Sequence, residues 1–121
     1  MEKPTDPKAA TFAWMVPHIA QVARVYGYAI GLHGSMARDL DLIAVPWVDS
    51  ASPAEVLVEA IREAVDGFIR NDPQHDGNKY CQDTCNPGEK PHGRRAWSIY
   101  FSGRRFYIDL SVMPLVPRSN A

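Results

Sequence analysis

The decisive stretch of this chain reads Gly31-Leu32-His33-Gly34-Ser35-Met36-Ala37-Arg38-Asp39-Leu40-Asp41-Leu42-Ile43-Ala44-Val45. Apolar runs with the length of short strands precede its Gly-Ser pair and follow its second aspartate. Side chains two residues apart in a strand point to the same face, so Asp39 and Asp41 are predicted to project side by side. Neighbouring carboxylates repel each other unless a cation lies between them, and divalent metals prefer such oxygen ligands. The stretch therefore predicts a metal site where a buried strand begins.

The residues before the aspartates add groups suited to phosphate. Gly34 permits tight backbone geometry or close approach to a ligand, and Ser35 offers a hydroxyl and an N–H. Arg38 lies beside the motif, where its guanidinium can neutralise phosphate charge. A plainer interpretation is also open, because Gly-Ser is a common turn dipeptide and an Asp-x-Asp pair at a strand start can be a solvated edge.

This pattern resembles the signature of the nucleotidyltransferase superfamily, the polymerase-beta-like fold. That signature is Gly-Ser, a short helix, Asp-x-Asp on a strand and a third acidic residue on a later strand. The third acid has a candidate in Asp109, within Phe106-Tyr107-Ile108-Asp109-Leu110-Ser111-Val112. Only Met36, Ala37 and Arg38 separate Gly-Ser from the first aspartate, which is shorter than the family's usual linker. The resemblance is to a minimal, single-domain type, from whose usual pattern this chain departs in its shortened linker between Gly-Ser and Asp-x-Asp.

The resemblance implies a Mg²⁺-dependent enzyme that moves a nucleoside monophosphate from a triphosphate such as ATP to a protein, small-molecule or RNA acceptor. Asp39, Asp41 and Asp109 would be the catalytic carboxylates and would hold two Mg²⁺ ions, while Gly34, Ser35 and Arg38 would bind the triphosphate. Minimal members of the family often work with a separate helical chain. The alternative is a catalytically degenerate protein of the same fold that acts as a binding or regulatory module.

Composition limits the other classes of function. The 121 residues suit one domain, and a hydrophobic content of 45% suits a globular core. The net charge of −1 gives no general electrostatic attraction to nucleic acid or to a membrane surface. No apolar run approaches the ~20 residues of a membrane span, and the first residues lack the apolar region of a secretory signal. We therefore expect a cytoplasmic protein with reduced cysteines.

Periodicity outside the motif predicts the remaining elements. Helical spacing of apolar residues runs from Phe12 to Tyr26, interrupted by Pro17, and a capping box at Ser52 opens a second helix. Strand patterns cover residues 28–32, 39–47, 96–102 and 104–112, and the unbroken run 42–45 predicts a strand covered on both faces. This order predicts an α+β fold, a four-stranded mixed sheet with helices packed on one face. Residues 118–121 are expected to form a frayed tail.

Residues 71–95 are predicted to form a long polar loop. It contains His75, Cys81, Cys85 and His92, whose residue types suit zinc, although their order is not that of a standard zinc finger. A plain loop with incidental thiols is the simpler interpretation. The pairs Arg94-Arg95 and Arg104-Arg105 flank the predicted hairpin and can either bind a phosphate backbone or be solvated hairpin ends.

Overall fold

A computed structural model describes residues 13–34, 40–70, 83–84, 88–89, 93–101 and 106–115. A short 3-10 helix, Ala13–Met15, leads into the first α-helix. The elements then follow in the order α1 (Val16–Val25), β1 (Tyr28–His33), β2 (Leu40–Pro46), α2 (Ala54–Arg70), β3 (Asp83–Thr84), β4 (Gly88–Glu89), β5 (Arg95–Phe101) and β6 (Phe106–Val112).

Helix α1 begins at Val16, inside the helical pattern that runs from Phe12 to Tyr26, and ends just before Gly27. Pro17 lies in the first turn, where the missing N–H removes no intrahelical bond, and the 3-10 helix precedes it. At the other end Gly27 adopts a positive φ of 90°. A Cβ at that position would lie 2.7 Å from the Cα of Ala51, so only glycine fits this turn. The turn carries the chain directly from α1 into β1.

The four long strands form a mixed sheet in the order β1-β2-β6-β5. Strand β2 pairs antiparallel with β1 and parallel with β6, and β5 pairs antiparallel with β6. This arrangement confirms the α+β fold class and the four-stranded mixed sheet predicted from the sequence. The two-residue strands β3 and β4 pair with the free edge of β5, so these four described residues of the segment predicted to be a loop belong to the sheet.

Both helices pack on the same face of this sheet, as predicted. The buried cluster on that face joins α1, α2 and the four long strands, with its largest fully buried side chains being Met15, Ile19, Leu40, Leu42, Leu57, Ile61, Ile99, Ile108, Leu110 and Val65. Burial of one large aliphatic side chain contributes about 1.5–3 kcal/mol, so this cluster holds the helices to the sheet. Within the described ranges, neither helix is long and apolar enough to cross a bilayer.

The opposite face, here called the open face, is reached by every second residue of each strand. In β2, Leu40, Leu42 and Ala44 are buried against the helices, whereas Val45 is 44% exposed. The prediction that this strand is covered on both faces is therefore wrong at its carboxyl end. Its apolar run continues onto the open face because Ile43 and Val45 point away from the helices.

Candidate active site

Two of the predicted carboxylates are cross-strand neighbours on the open face. Strands β2 and β6 run parallel, and their register pairs Asp41 with Asp109. Neighbouring strands lie about 4.8 Å apart, and paired residues project from the same face. The adjacent pairs of this ladder, Leu40 with Ile108 and Leu42 with Leu110, are buried against the helices. Both carboxylates therefore leave the sheet on the side away from the helices, and each is partly accessible to solvent.

The same register extends this pair into a polar row across all four long strands. Asp41 pairs with His33 on β1, and Asp109 pairs with Ser98 on β5. Sequence reasoning assigned no functional role to these two neighbours. For Ser98 a signal exists, because the buried Trp97 and Ile99 on either side of it place it on the open face. The position of His33 beside Asp41 becomes evident only once the pairing of β1 with β2 is known.

Gly34 shapes the space around one of these carboxylates. Its φ is 82°, a left-handed conformation that favours glycine. A Cβ built on Gly34 would lie 2.5 Å from Oδ2 of Asp41, closer than any stable contact. The turn after β1 therefore brings the main chain against the Asp41 carboxylate. Of the two roles that the sequence allows for Gly34, the structure supports tight backbone geometry.

The other predicted site residues lie outside the described part of the chain. These are Ser35, Arg38 and Asp39, together with the zinc candidates His75, Cys81, Cys85 and His92 and the arginines Arg104 and Arg105. Among the described residues, no group of three or more His, Cys, Asp or Glu side chains lies close enough to hold a metal ion. The roles of these residues remain predictions.

The chemistry of the carboxylate pair fits a hard divalent cation. Like charges directly opposite each other on neighbouring strands destabilise a sheet, so two ionised carboxylates in this register repel each other. A bound Mg²⁺ or Mn²⁺ would replace that repulsion with attraction, because both ions take carboxylate oxygens as ligands. Asp41 and Asp109 supply two such ligands, and further positions would be open to water, substrate or Asp39.

Arg95 is directed away from this site. Its register partner on β6 is Val112, which is buried against the helices. The guanidinium lies 4.7 Å from the ring centroid of Trp97 and donates a hydrogen bond of 2.6 Å to Oε2 of Glu55. This hydrogen bond holds the pKa of the Glu55 carboxyl below its usual value. The charge of Arg95 thus joins α2 to β5.

Comparison of the chain with protein-family models, with curated proteins and with solved structures gave no match. The resemblance to nucleotidyltransferases therefore depends on the motif residues themselves. The structural feature that bears on that motif is the register pairing of Asp41 with Asp109.

Proposed function

We propose that this protein is a Mg²⁺-dependent nucleotidyltransferase that moves a nucleoside monophosphate from a nucleoside triphosphate to an acceptor hydroxyl. The observation that carries the proposal is the pairing of Asp41 with Asp109 on adjacent parallel strands. The two residues lie far apart in the sequence, at positions 41 and 109. A motif that occurred by chance would have no reason to bring its second and third acids into the same register.

Each residue of the set has a chemical task in this proposal. Asp41 and Asp109, with Asp39, would hold the metal ions, which supply charge stabilisation to the attacking and leaving oxygens. A carboxylate oxygen of Asp109 would take the proton from the acceptor hydroxyl. Ser35 and Arg38 would hold the triphosphate. Gly34 has no side chain and so lets the main chain pass close to the Asp41 carboxylate.

The proposed reaction balances without a further reactant. The acceptor oxygen forms a bond to the α-phosphorus, and the bond from that phosphorus to the bridging oxygen breaks. Pyrophosphate leaves, and the acceptor keeps the nucleoside monophosphate. A cytoplasmic location and a separate helical partner chain, both expected from the sequence, belong to this proposal.

The first test is a calorimetric titration of Mn²⁺ and a non-hydrolysable nucleoside triphosphate into the folded protein. Wild type is expected to bind the nucleotide only when the metal is present. Asp41→Asn and Asp109→Asn each remove one charge without changing side-chain volume, and both should lose most of this binding. Glu63→Gln removes the same charge from an exposed position on α2 and should bind like wild type.

Two outcomes would contradict the proposal. If the folded wild-type protein binds no nucleotide with the metal present, the protein lacks the donor site, and the degenerate binding module becomes the better account. If nucleotide binds but Asp41→Asn and Asp109→Asn bind it equally well, the site lies elsewhere.

A further inference from the structure

The two edges of the sheet differ in how they are covered. The edge formed by β5 pairs with the short strands β3 and β4. The other edge is β1, and within the described ranges no strand pairs with its outer side. Its sequence, Tyr28-Ala29-Ile30-Gly31-Leu32-His33, contains none of the lysine, acidic or proline residues with which proteins commonly block pairing at an exposed edge. Strand β1 is therefore suited to pair with a further strand.

The hydrogen-bond pattern decides which backbone groups point outward from β1. At the start of the ladder with β2, the N–H of Trp47 donates a hydrogen bond of 3.0 Å to the carbonyl of Gly27. Opposed residues of an antiparallel ladder alternate between hydrogen-bonded and non-hydrogen-bonded pairs, so this bond sets the order along the strand. Ile30 and Leu32 then belong to non-hydrogen-bonded pairs, and their N–H and C=O groups point away from β2.

Two further observations agree with this order. Pro46, which has no N–H, lies opposite Tyr28, where the pattern requires no hydrogen bond. Ala44 lies opposite Ile30, and its carbonyl accepts a hydrogen bond from the N–H of Met113, on the side away from β1. The outward direction of the backbone groups of β1 is thus supported at three places in the ladder.

The accessible part of this edge is centred on Gly31. Residues 29–33 all keep some exposure to solvent, whereas Tyr28 is buried. Leu32 is 44% exposed although it lies on the helix face, where its cross-strand partner Leu42 is fully buried. A strand added at this edge would therefore cover an apolar side chain as well as the outward backbone groups.

A second copy of β1 fits the accessible stretch in one symmetric register. Paired residues of antiparallel strands project from the same face, so a two-fold axis perpendicular to the sheet has to pass through a residue. An axis at Gly31 pairs Ile30 of each copy with Leu32 of the other. Each of these two pairs exchanges two hydrogen bonds, and together they use every outward N–H and C=O of Ile30 and Leu32.

The side chains suit this register on both faces of the sheet. On the helix face, Ile30 lies beside Leu32 of the copy, which forms an apolar pair. On the open face, Gly31 lies opposite Gly31 of the copy, and Ala29 lies opposite His33. No two charges of the same sign face each other between these residues, and opposed like charges are what destabilise a pair of strands.

We infer that the protein forms a dimer in which β1 of one copy pairs antiparallel with β1 of the other about a two-fold axis at Gly31. The two sheets then join into one continuous sheet, and the Asp41–Asp109 pairs of both copies lie on the same face of it. The contact consists chiefly of one pair of strands, so the dimer should dissociate on dilution. The inference does not depend on the proposed enzymatic activity.

Sedimentation equilibrium of the whole chain over a range of concentrations is the first test. Wild type should pass from monomer to dimer as the concentration rises. Leu32→Pro removes an outward N–H, leaves the hydrogen bonds to β2 in place, and puts proline where an edge strand tolerates it. We expect it to raise the Kd of the dimer tenfold or more. Leu32→Ala keeps the N–H and should still form the dimer.

Cysteine cross-linking tests the register, in a chain that also carries Cys81→Ser and Cys85→Ser. Ile30→Cys and Leu32→Cys should form a disulfide when the two variants are mixed and oxidised. Hydrogen-bonded partners have Cα atoms about 5.5 Å apart, which is within the reach of a disulfide. Neither variant should cross-link with itself, because identical positions are offset by two residues in this register. This readout also decides the question if Leu32→Pro fails to fold.

The inference is overturned if wild type stays monomeric at every concentration, or if Leu32→Pro, folded by circular dichroism, dimerises as wild type does. Absence of the mixed cross-link in a dimeric protein would also overturn it, and a cross-link formed by Ile30→Cys alone would contradict the axis at Gly31. Leu115, which is 42% exposed in an apolar groove beside the end of β6, provides the alternative contact. If Leu115→Ala abolishes the dimer and Leu32→Pro does not, the copies meet through that groove and not through β1.

Discussion

A Cβ at Gly34 would lie only 2.5 Å from Oδ2 of Asp41, so a side chain at position 34 would have to displace that carboxylate. The contact joins the turn after β1 to the second residue of β2, and it involves Oδ2 of the carboxylate that pairs with Asp109. Two features favour glycine here, since the backbone is left-handed and a Cβ would force the carboxylate to shift. The turn and the carboxylate are thus parts of one arrangement.

Gly34→Ala should therefore damage both stability and metal binding. We expect a loss of about 1–3 kcal/mol in the free energy of unfolding, because a non-glycine residue is strained at this φ and the new methyl group displaces Asp41. Denaturant unfolding measures the first effect, and Mn²⁺ titration of the folded variant measures the second. Unchanged Mn²⁺ affinity in the folded variant would show that the position of Asp41 is unimportant for the metal.

Gly67 is a matched control position, at which substitution by alanine should increase the stability of the fold. It lies within α2, and a Cβ built there meets no other atom within 4 Å. Glycine in a helix interior is destabilising relative to alanine by roughly 0.5–1 kcal/mol, so Gly67→Ala should raise the free energy of unfolding by about that amount. Its Mn²⁺ binding should equal that of wild type. A destabilised Gly67→Ala would show that the helix is not continuous at this residue.

The face of the sheet on which Asp109 lies could be predicted, because side chains alternate between the two faces of a strand and this alternation is visible in the local sequence. Ile108 and Leu110 are apolar and flank Asp109, which is enough to place the aspartate on the opposite face. The pairing of Asp41 with Asp109 could not be predicted, because a register between distant strands depends on tertiary packing. Strands β3 and β4 have two residues each, too few to show any period.

The exposure of side chains at the carboxyl end of β2 was also beyond sequence reasoning. Strand β2 ends at Pro46, one residue before the end of the pattern 39–47 that predicts it, but a residue pattern does not say whether the following Trp47 is buried or exposed. The unbroken apolar run of residues 42–45 favours burial on both faces of the sheet, whereas Val45 is 44% exposed. Whether the strand is covered on one face or on both depends on where the helices pack, and both helices pack on the same face of the sheet.

Tyr28 ties the start of β1 to the loop before α2. Its ring is buried, and its hydroxyl donates a hydrogen bond of 2.7 Å to the backbone carbonyl of Ser52. Burial, with a smaller effect of the Glu55 charge, raises the pKa of the Tyr28 hydroxyl. Tyr28→Phe leaves the carbonyl without this donor and should lower the free energy of unfolding by about 1–3 kcal/mol. Denaturant unfolding at neutral pH provides the measurement, and an unchanged free energy would contradict the assignment.

The Glu55–Arg95 ion pair should give stability a specific dependence on acid. The pKa of Glu55 is lowered in the folded state, chiefly by the hydrogen bond from Arg95, from an ordinary value of 4.5. The stabilisation is therefore present above about pH 4.5 and is lost as the pH falls through the lower folded-state pKa.

Thermal unfolding of wild type and Glu55→Gln across this range tests the point. Wild type should have the higher Tm at neutral pH, and the difference should shrink in acid. Both side chains are well exposed, so the gap should be small and should also shrink at high salt. A gap that persists in acid would mean that Glu55 stabilises the fold by something other than its charge.

The most direct test of the central claim is a double-mutant cycle on Mn²⁺ affinity, with wild type, Asp41→Asn, Asp109→Asn and the double variant. If the two carboxylates hold one cation, each single substitution should weaken Mn²⁺ binding by tenfold or more, about 1.4 kcal/mol. The double variant should then be little worse than the weaker single variant, because the effects of residues that share one ligand do not add. Additive losses, or no loss in either single variant, would contradict a shared metal site at Asp41 and Asp109.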